Sequence, residues 1–160
     1  MPDLDHSGLF RWQQDNRELT AGSILYLPVS VEGALFSAGD GHASQGDGEV
    51  CLTAVETGLS GTFKIDVIES ADLTMPFAET ANHLITMAFD QDLEKAMEAA
   101  LRFAIRMIVE RTRITASQAY SLCSMAADVR ITQVVNVRKG IHVMIPKALL
   151  ASKGPETGDL

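Results

Sequence analysis

Three features of the sequence predict an α+β fold, β-rich in its amino-terminal part and followed by a smaller α/β part with two helices packed on strands. The first 89 residues are cut into short runs of β-formers separated by glycine-rich and polar stretches. Residues 90–126 change to helical spacing, with a capping box at the break between two segments. Residues 129–145 then return to two apolar runs of strand length. Strands first, then a helix pair set among strands, is the pattern of α+β domains.

Taken in order, residues 1–18 form a polar arm that is aperiodic through Trp12. Residues 19–89 form the β-rich part. Residues 23–29 are rich in β-formers, and 31–36 make a second apolar run that Gly33 interrupts as a bulge or turn would. Residues 39–49 are too rich in glycine for a helix and too polar for a core strand, so a long loop is expected. Residues 51–55 and 62–67 read as two further strands. In the second, Phe63, Ile65 and Val67 alternate with Lys64 and Asp66, which predicts one buried and one wet face. Residues 69–76 have the chemistry of a connection, and 83–89 return to strand.

Residues 90–151 form the helical part. Asp90 is placed to cap a helix in which Leu93, Met97, Ala100, Leu101, Ala104, Ile105 and Ile108 recur at helical spacing to about Arg111. Thr115 and Gln118 match a capping box, predicting a second helix to about Ala126. Strands over 129–135 and 141–145 are expected to meet at a turn containing Lys139 and Gly140. Residues 152–160, of Gly, Pro and acid, read as a disordered tail.

Composition narrows the function classes. Hydrophobic residues make up 46% of the 160, enough for a core. The net charge of −8, with basic residues scattered, argues against nucleic acid and anionic membrane surfaces as partners, since phosphate binding needs clustered Lys and Arg. No apolar run reaches the roughly 18 residues of a membrane span, and the start lacks the basic and apolar regions of a signal peptide. Cys51 and Cys123 lie far apart in apolar settings and read as buried thiols. A cytoplasmic protein is expected.

The densest cluster of functional groups is the 39–49 loop, which holds Asp40, His42, Gln45, Asp47 and Glu49 among four glycines. Carboxylates and imidazole converging on one point suit a divalent cation, and glycines allow the tight folding that convergence needs. Asp40 and His42, like Asp47 and Glu49, are two apart and would project to one side of an extended piece. The same composition also suits a solvated turn. The offsets are wrong for an EF-hand, and no lysine follows the glycines as in a Walker loop. His142 lies opposite Ile141, Val143 and Ile145 and reads as a structural histidine. Cys123 is expected on the apolar side of the second helix, and Met97, Phe103 and Met107 in core or interface.

The stretch Gly33-Ala-Leu-Phe-Ser-Ala-Gly-Asp-Gly-His-Ala-Ser-Gln-Gly-Asp-Gly-Glu49 resembles the signature of acetamidases and formamidases. Asp15-Asn-Arg-Glu-Leu-Thr-Ala-Gly-Ser-Ile-Leu-Tyr-Leu-Pro28 is similar to the segment upstream of it in that family. Tyr120 to Val135 and Gly140 to Lys147 resemble the closing segment. The likeness is to the carboxy-terminal half, without the family's β-rich amino-terminal portion. Where the family has Gly-Asn-Met-Asp before the first strand, this chain has Trp12-Gln13-Gln14-Asp15.

The resemblance implies hydrolysis of a short aliphatic amide to carboxylate and ammonia with a divalent cation, zinc favoured over calcium. It implies Asp15, Asp40 and His42 as metal ligands, Glu49 as general base, and Gln45 and Asp47 as substrate-binding residues. Partners implied are the small amide and either a second copy of the chain or a complementing amino-terminal half. Two other readings stand beside it: a truncated, non-catalytic binding module, and a thiol amidase using Cys51 or Cys123. Apolar surroundings disfavour the latter because they raise a thiol's pKa.

Overall fold

The structure, a computed structural model, describes residues 15–69 and 71–150. The chain order is β1 (Ile24–Tyr26), β2 (His42–Ser44), β3 (Val55–Glu56), β4 (Phe77–Glu79), β5 (His83–Asp90), α1 (Leu93–Arg111), α2 (Ala116–Ala126), β6 (Asp128–Gln133), β7 (Lys139–Pro146) and α3 (Lys147–Leu150). Five strands form one antiparallel sheet in the order β1-β4-β5-β7-β6, while β2 and β3 form a separate ribbon. The α+β class holds. Most of the arm, including His6, Trp12, Gln13 and Gln14, and the tail over 152–160 lie outside the described residues.

The sheet is built on β5 and β7, which pair over eight residues from His83–Pro146 to Asp90–Lys139. Alternation along these strands sends two apolar sets to opposite faces. Leu84, Ala88, Ile141, Val143 and Ile145 meet the helices, whereas Ile85, Met87, Phe89 and Met144 cluster with Ala78 on the far face. On the helix side, Ala96, Ala100 and Ala104 are fully buried, and their small side chains let α1 lie close enough for Thr86 Oγ1 to donate to the Ala100 carbonyl at 3.0 Å. Phe103, Met107 and Ile108 fill the remaining space, with Ala119 and Cys123 of α2 closing the layer.

Helix ends follow local chemistry. Thr115 accepts from the Gln118 amide at 3.2 Å and Gln118 returns the bond to the Thr115 amide at 2.9 Å, completing the predicted capping box. The cap of α1 is Asp92, not Asp90: its carboxylate accepts from the amides of Glu94 and Lys95. Asp90 is still paired in the sheet, and its own side chain accepts from the Asp92 amide at 2.9 Å. The turn between the last two strands lies over 134–138, because Lys139 and Gly140 already pair with Asp90 and Phe89.

The β-rich part is less regular than its composition predicts. Residues 31–36 do not form a strand, since Gly33, Ala34 and Leu35 take consecutive left-handed conformations at φ 80°, 59° and 51°. Of 51–55 only Val55 is a strand residue, and 62–67 find no ladder partner among the described residues. A strand exists by pairing its backbone, so β-formers without an edge remain irregular. Phe63, Ile65 and Val67 are accordingly exposed by 62%, 64% and 68%. Conversely β4, which follows the expected connection over 69–76 and carries no expectation of its own, is drawn into the sheet between β1 and β5. No helix among the described residues is long and apolar enough to cross a membrane.

The packing ranks two substitutions. Ile108→Ala is expected to cost about 2–5 kcal/mol by leaving a cavity under the sheet, and Thr115→Ala about 1 kcal/mol through the lost cap. Urea unfolding of the two variants checks the order; equal losses would show that α1 is not the packed layer described.

Candidate metal centre

Three segments meet beside the end of β6. The Gly48 amide donates to the Ile131 carbonyl at 2.9 Å, and the Gly48 carbonyl accepts from the Val134 amide at 3.0 Å, a parallel bridge that docks the glycine-rich loop on the sheet. Gly48 sits at φ 89°, open to glycine at little cost. Ahead of it β2 pairs with β3, setting His42 opposite Glu56. At Gly41 a Cβ would stand 2.8 Å from the Leu59 side chain and 2.9 Å from the Thr57 carbonyl, so the ribbon closes only around glycine. The third segment begins at Asp15, whose carboxylate accepts from Asn136 Nδ2 at 3.3 Å.

His42 is the centre of the arrangement. Its Nε2 lies 3.2 Å from Glu56 Oε2, 3.4 Å from Asp40 Oδ1 and 4.0 Å from Glu49 Oε1. That nitrogen is buried, yet it makes no hydrogen bond. On the other side of the ring Nδ1 is 3.0 Å from Gln45 Oε1, and Gln45 Nε2 donates to the Asp15 carbonyl. Glu56 is held by its own turn, where Oε1 accepts from the Ala54 amide at 3.2 Å and the Thr53 hydroxyl at 3.1 Å, leaving Oε2 for His42. One ligand atom each from Asp40, His42 and Glu56 lie within 4.8 Å of one another. Atoms bound to a single zinc or calcium ion at about 2.0–2.6 Å can stand no more than about 5 Å apart, so this set fits one cation.

The electrostatics follow from burial and crowding. Burial pushes the Glu49 carboxyl above its usual range, and the carboxylates of Asp15, Asp40 and Glu56 raise it further against the opposing pull of His42. The Gln45 contact raises His42, burial lowers it, and Glu56, Asp40 and Glu49 raise it again, with a net upward shift. Glu56 is held below its usual range, chiefly by the Ala54 amide. Asp40 and Glu49 are also strained, at φ 64° and 43°, where a non-glycine residue costs about 1–3 kcal/mol.

The expected site residues are distributed unevenly. Asp40 and His42 converge, but through the left-handed turn at Asp40 and not through alternation along an extended piece. Glu49 stands beside them, buried. Asp15 acts on Glu49 electrostatically and is anchored by Asn136, outside the three-atom cluster. Gln45 bonds to His42 and Asp15. Asp47 is exposed and acts electrostatically on His142, with Gly48 turning the chain between it and Glu49. Glu56 was not among the expected residues. Its signal was a carboxylate on the short apolar run after the loop, which becomes informative only with the β2–β3 register. The 39–49 stretch itself contains β2 and so is not wholly loop.

The remaining candidates separate cleanly. Cys123 is buried and burial raises its thiol, whereas Cys51 is exposed, contrary to expectation, because residues 50–53 turn outward around Leu52 at φ 72°. His142 is fully buried on the far face, with Nδ1 2.9 Å from Thr132 Oγ1 and Nε2 buried without a hydrogen bond, and the acidic cluster that faces His42 Nε2 has no counterpart around it among the described residues.

Comparison with known proteins bears on what this geometry serves. The sequence model of the Acetamidase/Formamidase family matches residues 11–151. The chain belongs to the acetamidase/formamidase family. It is 45% identical over 56 residues to an acetamidase of Mycolicibacterium smegmatis, a segment covering 34% of this chain and 14% of that protein. Crystal structures of acetamidases from Bacillus halodurans and Yersinia enterocolitica superpose with TM-scores of 0.79 and 0.83 at 31% and 36% identity. They cover 84% and 87% of this chain, which spans 46% and 42% of theirs. Family members of that length are thus about twice as long as the part shared here.

His142 supplies a test of the far-face packing. Burial lowers its pKa from the ordinary value near 6.5 to about 4. Between those values the unfolded chain binds the proton and the folded chain does not, so stability is present above pH 6.5 and lost as pH falls through about 4. The parent is expected to lose up to about 3 kcal/mol more than His142→Val between pH 7 and pH 4 in urea unfolding. Parallel losses would mean that the ring is accessible to protons in the folded state.

Proposed function

We propose that the chain carries the catalytic site of a metal-dependent amidase that cleaves short aliphatic amides, formamide or acetamide, to the carboxylate and ammonia. The observation that carries this reading is the buried, unbonded His42 Nε2 facing Asp40, Glu56 and Glu49 in a member of this family. Asp40, His42 and Glu56 are the holding residues, with Asp15 as a further carboxylate at the edge of the site. One imidazole among oxygen donors favours zinc, and calcium fits the carboxylates alone less well. Held by these residues, a divalent cation would supply Lewis acidity toward water and the amide carbonyl.

Glu49 is the general base. Burial and neighbouring carboxylates raise its carboxyl above the ordinary value, which strengthens it as a base that takes a proton from water and returns it to the leaving amine. Substrate binding is assigned to Asp47 on the family resemblance, whereas both polar ends of Gln45 are engaged within the protein. The free thiols fit a reducing, cytoplasmic setting.

A second reading is a non-catalytic module of the same family that keeps the cation. Ammonia release separates the two. Zinc-loaded protein is expected to release ammonia from formamide or acetamide, and Glu49→Gln to lower the rate by about 10²–10⁴-fold with metal content unchanged. No ammonia from parent and variant alike would leave only the binding module.

The reading also calls for a partner over the apolar surface at Phe36, Phe63, Ile65 and Val67, either a second copy or a complementing amino-terminal half. Light scattering is expected to give at least a dimer mass, reduced by Phe63→Asp; a monomer at all concentrations overturns self-association.

A further inference from the structure

The contacts of Gln45 assign it a task distinct from substrate binding. The Asp15 carbonyl can only accept a hydrogen bond, so the Gln45 amide nitrogen faces it and the amide oxygen faces His42. An amide oxygen can only accept, so His42 Nδ1 at 3.0 Å carries the proton of that bond. With Nδ1 protonated, the neutral ring has its lone pair on Nε2, the atom that faces Glu56, Asp40 and Glu49 and has no hydrogen bond of its own. Second contacts of this kind set the tautomer and orientation of a ligating histidine.

We propose that Gln45 is a positioning residue that holds His42 as the Nδ1–H tautomer, so that Nε2 is presented to the cation. The inference rests on the metal-centre reading above. It replaces substrate binding as the role of Gln45, whose two polar ends are both engaged within the protein. The second end has a use of its own. By gripping the Asp15 carbonyl across 30 positions of sequence, the amide joins the upstream segment to the histidine and is itself held from following a rotation of the ring. Glutamate at this position would keep the acceptor toward His42 but set a carboxylate against the Asp15 carbonyl. Leucine would remove both bonds while filling a similar volume.

The experiment uses the full chain and zinc alone as probe. Zinc affinity is measured by competition with a chromophoric chelator for the parent, Gln45→Leu and Gln45→Glu. Long-range proton–nitrogen spectra of the zinc-loaded parent then report which ring nitrogen of His42 bears the proton, the resonance being identified by its loss in His42→Ala. The expected result is a proton on Nδ1 with Nε2 ligating, a fall of about 10–100-fold in affinity for Gln45→Leu, and a smaller loss for Gln45→Glu. A ligating Nδ1, or an affinity unchanged in Gln45→Leu, overturns the proposal while leaving the metal centre standing. A parent that takes up no zinc overturns both. The spectrum of the parent decides the matter even if Gln45→Leu does not fold.

Discussion

The bridge between Gly48 and β6 is the contact on which the site depends. A stretch with four glycines in eleven positions has a large conformational entropy to lose, and nothing within the loop itself could hold it in one shape. Backbone hydrogen bonds from Gly48 to Ile131 and from Val134 to Gly48 attach its far end to the end of β6, the edge strand paired to β7. The near end is closed by the β2–β3 ribbon, and the upstream segment is drawn in by Asn136, from the turn that follows β6. The rigidity of the sheet is thereby lent to side chains that do not belong to it.

That docking permits an electrostatic arrangement that would otherwise relax. Three carboxylates lie within 4.0 Å of a single imidazole nitrogen, with two residues held at left-handed dihedrals. Crowded like charges raise one another's pKa and oppose burial, and Glu49, the most buried of the group, shows the effect. Strain and like charge concentrated around a buried imidazole nitrogen are what distinguish this loop from a solvated acidic turn. The helix layer takes no part in this. Its work is to hold β5 and β7 in place, so that the far face of the sheet offers a firm base.

The long excursion through 57–68 obeys a different rule. Its apolar residues Leu59, Phe63, Ile65, Val67 and Ile68 remain exposed, since neither a ladder nor a facing layer among the described residues receives them. Alternation of apolar and polar side chains predicts which face of a strand is buried only after a strand exists. Here Gly33 and its two left-handed successors break one run, and the other has no edge to join.

Much of the fold was legible in the chain. The helical spacing from Leu93, the capping box at Thr115 and Gln118, and the runs that became β5 and β7 are local signals, written in neighbours three, four or two positions apart. The concentration of Asp40, His42 and Glu49 was equally plain, but the same composition suits a solvated turn, and only their convergence in the fold separates the two. Glu56 was not legible. It becomes a partner of His42 through a cross-strand register fourteen residues away, and no local pattern encodes which edge a two-residue strand will choose. The part played by Gln45 was hidden for the same reason, since its amide is oriented by a carbonyl thirty residues upstream. Local composition thus determined the elements and the chemistry available to them, whereas only tertiary hydrogen bonding decided which groups face one another, because convergence depends on where distant backbones are pinned.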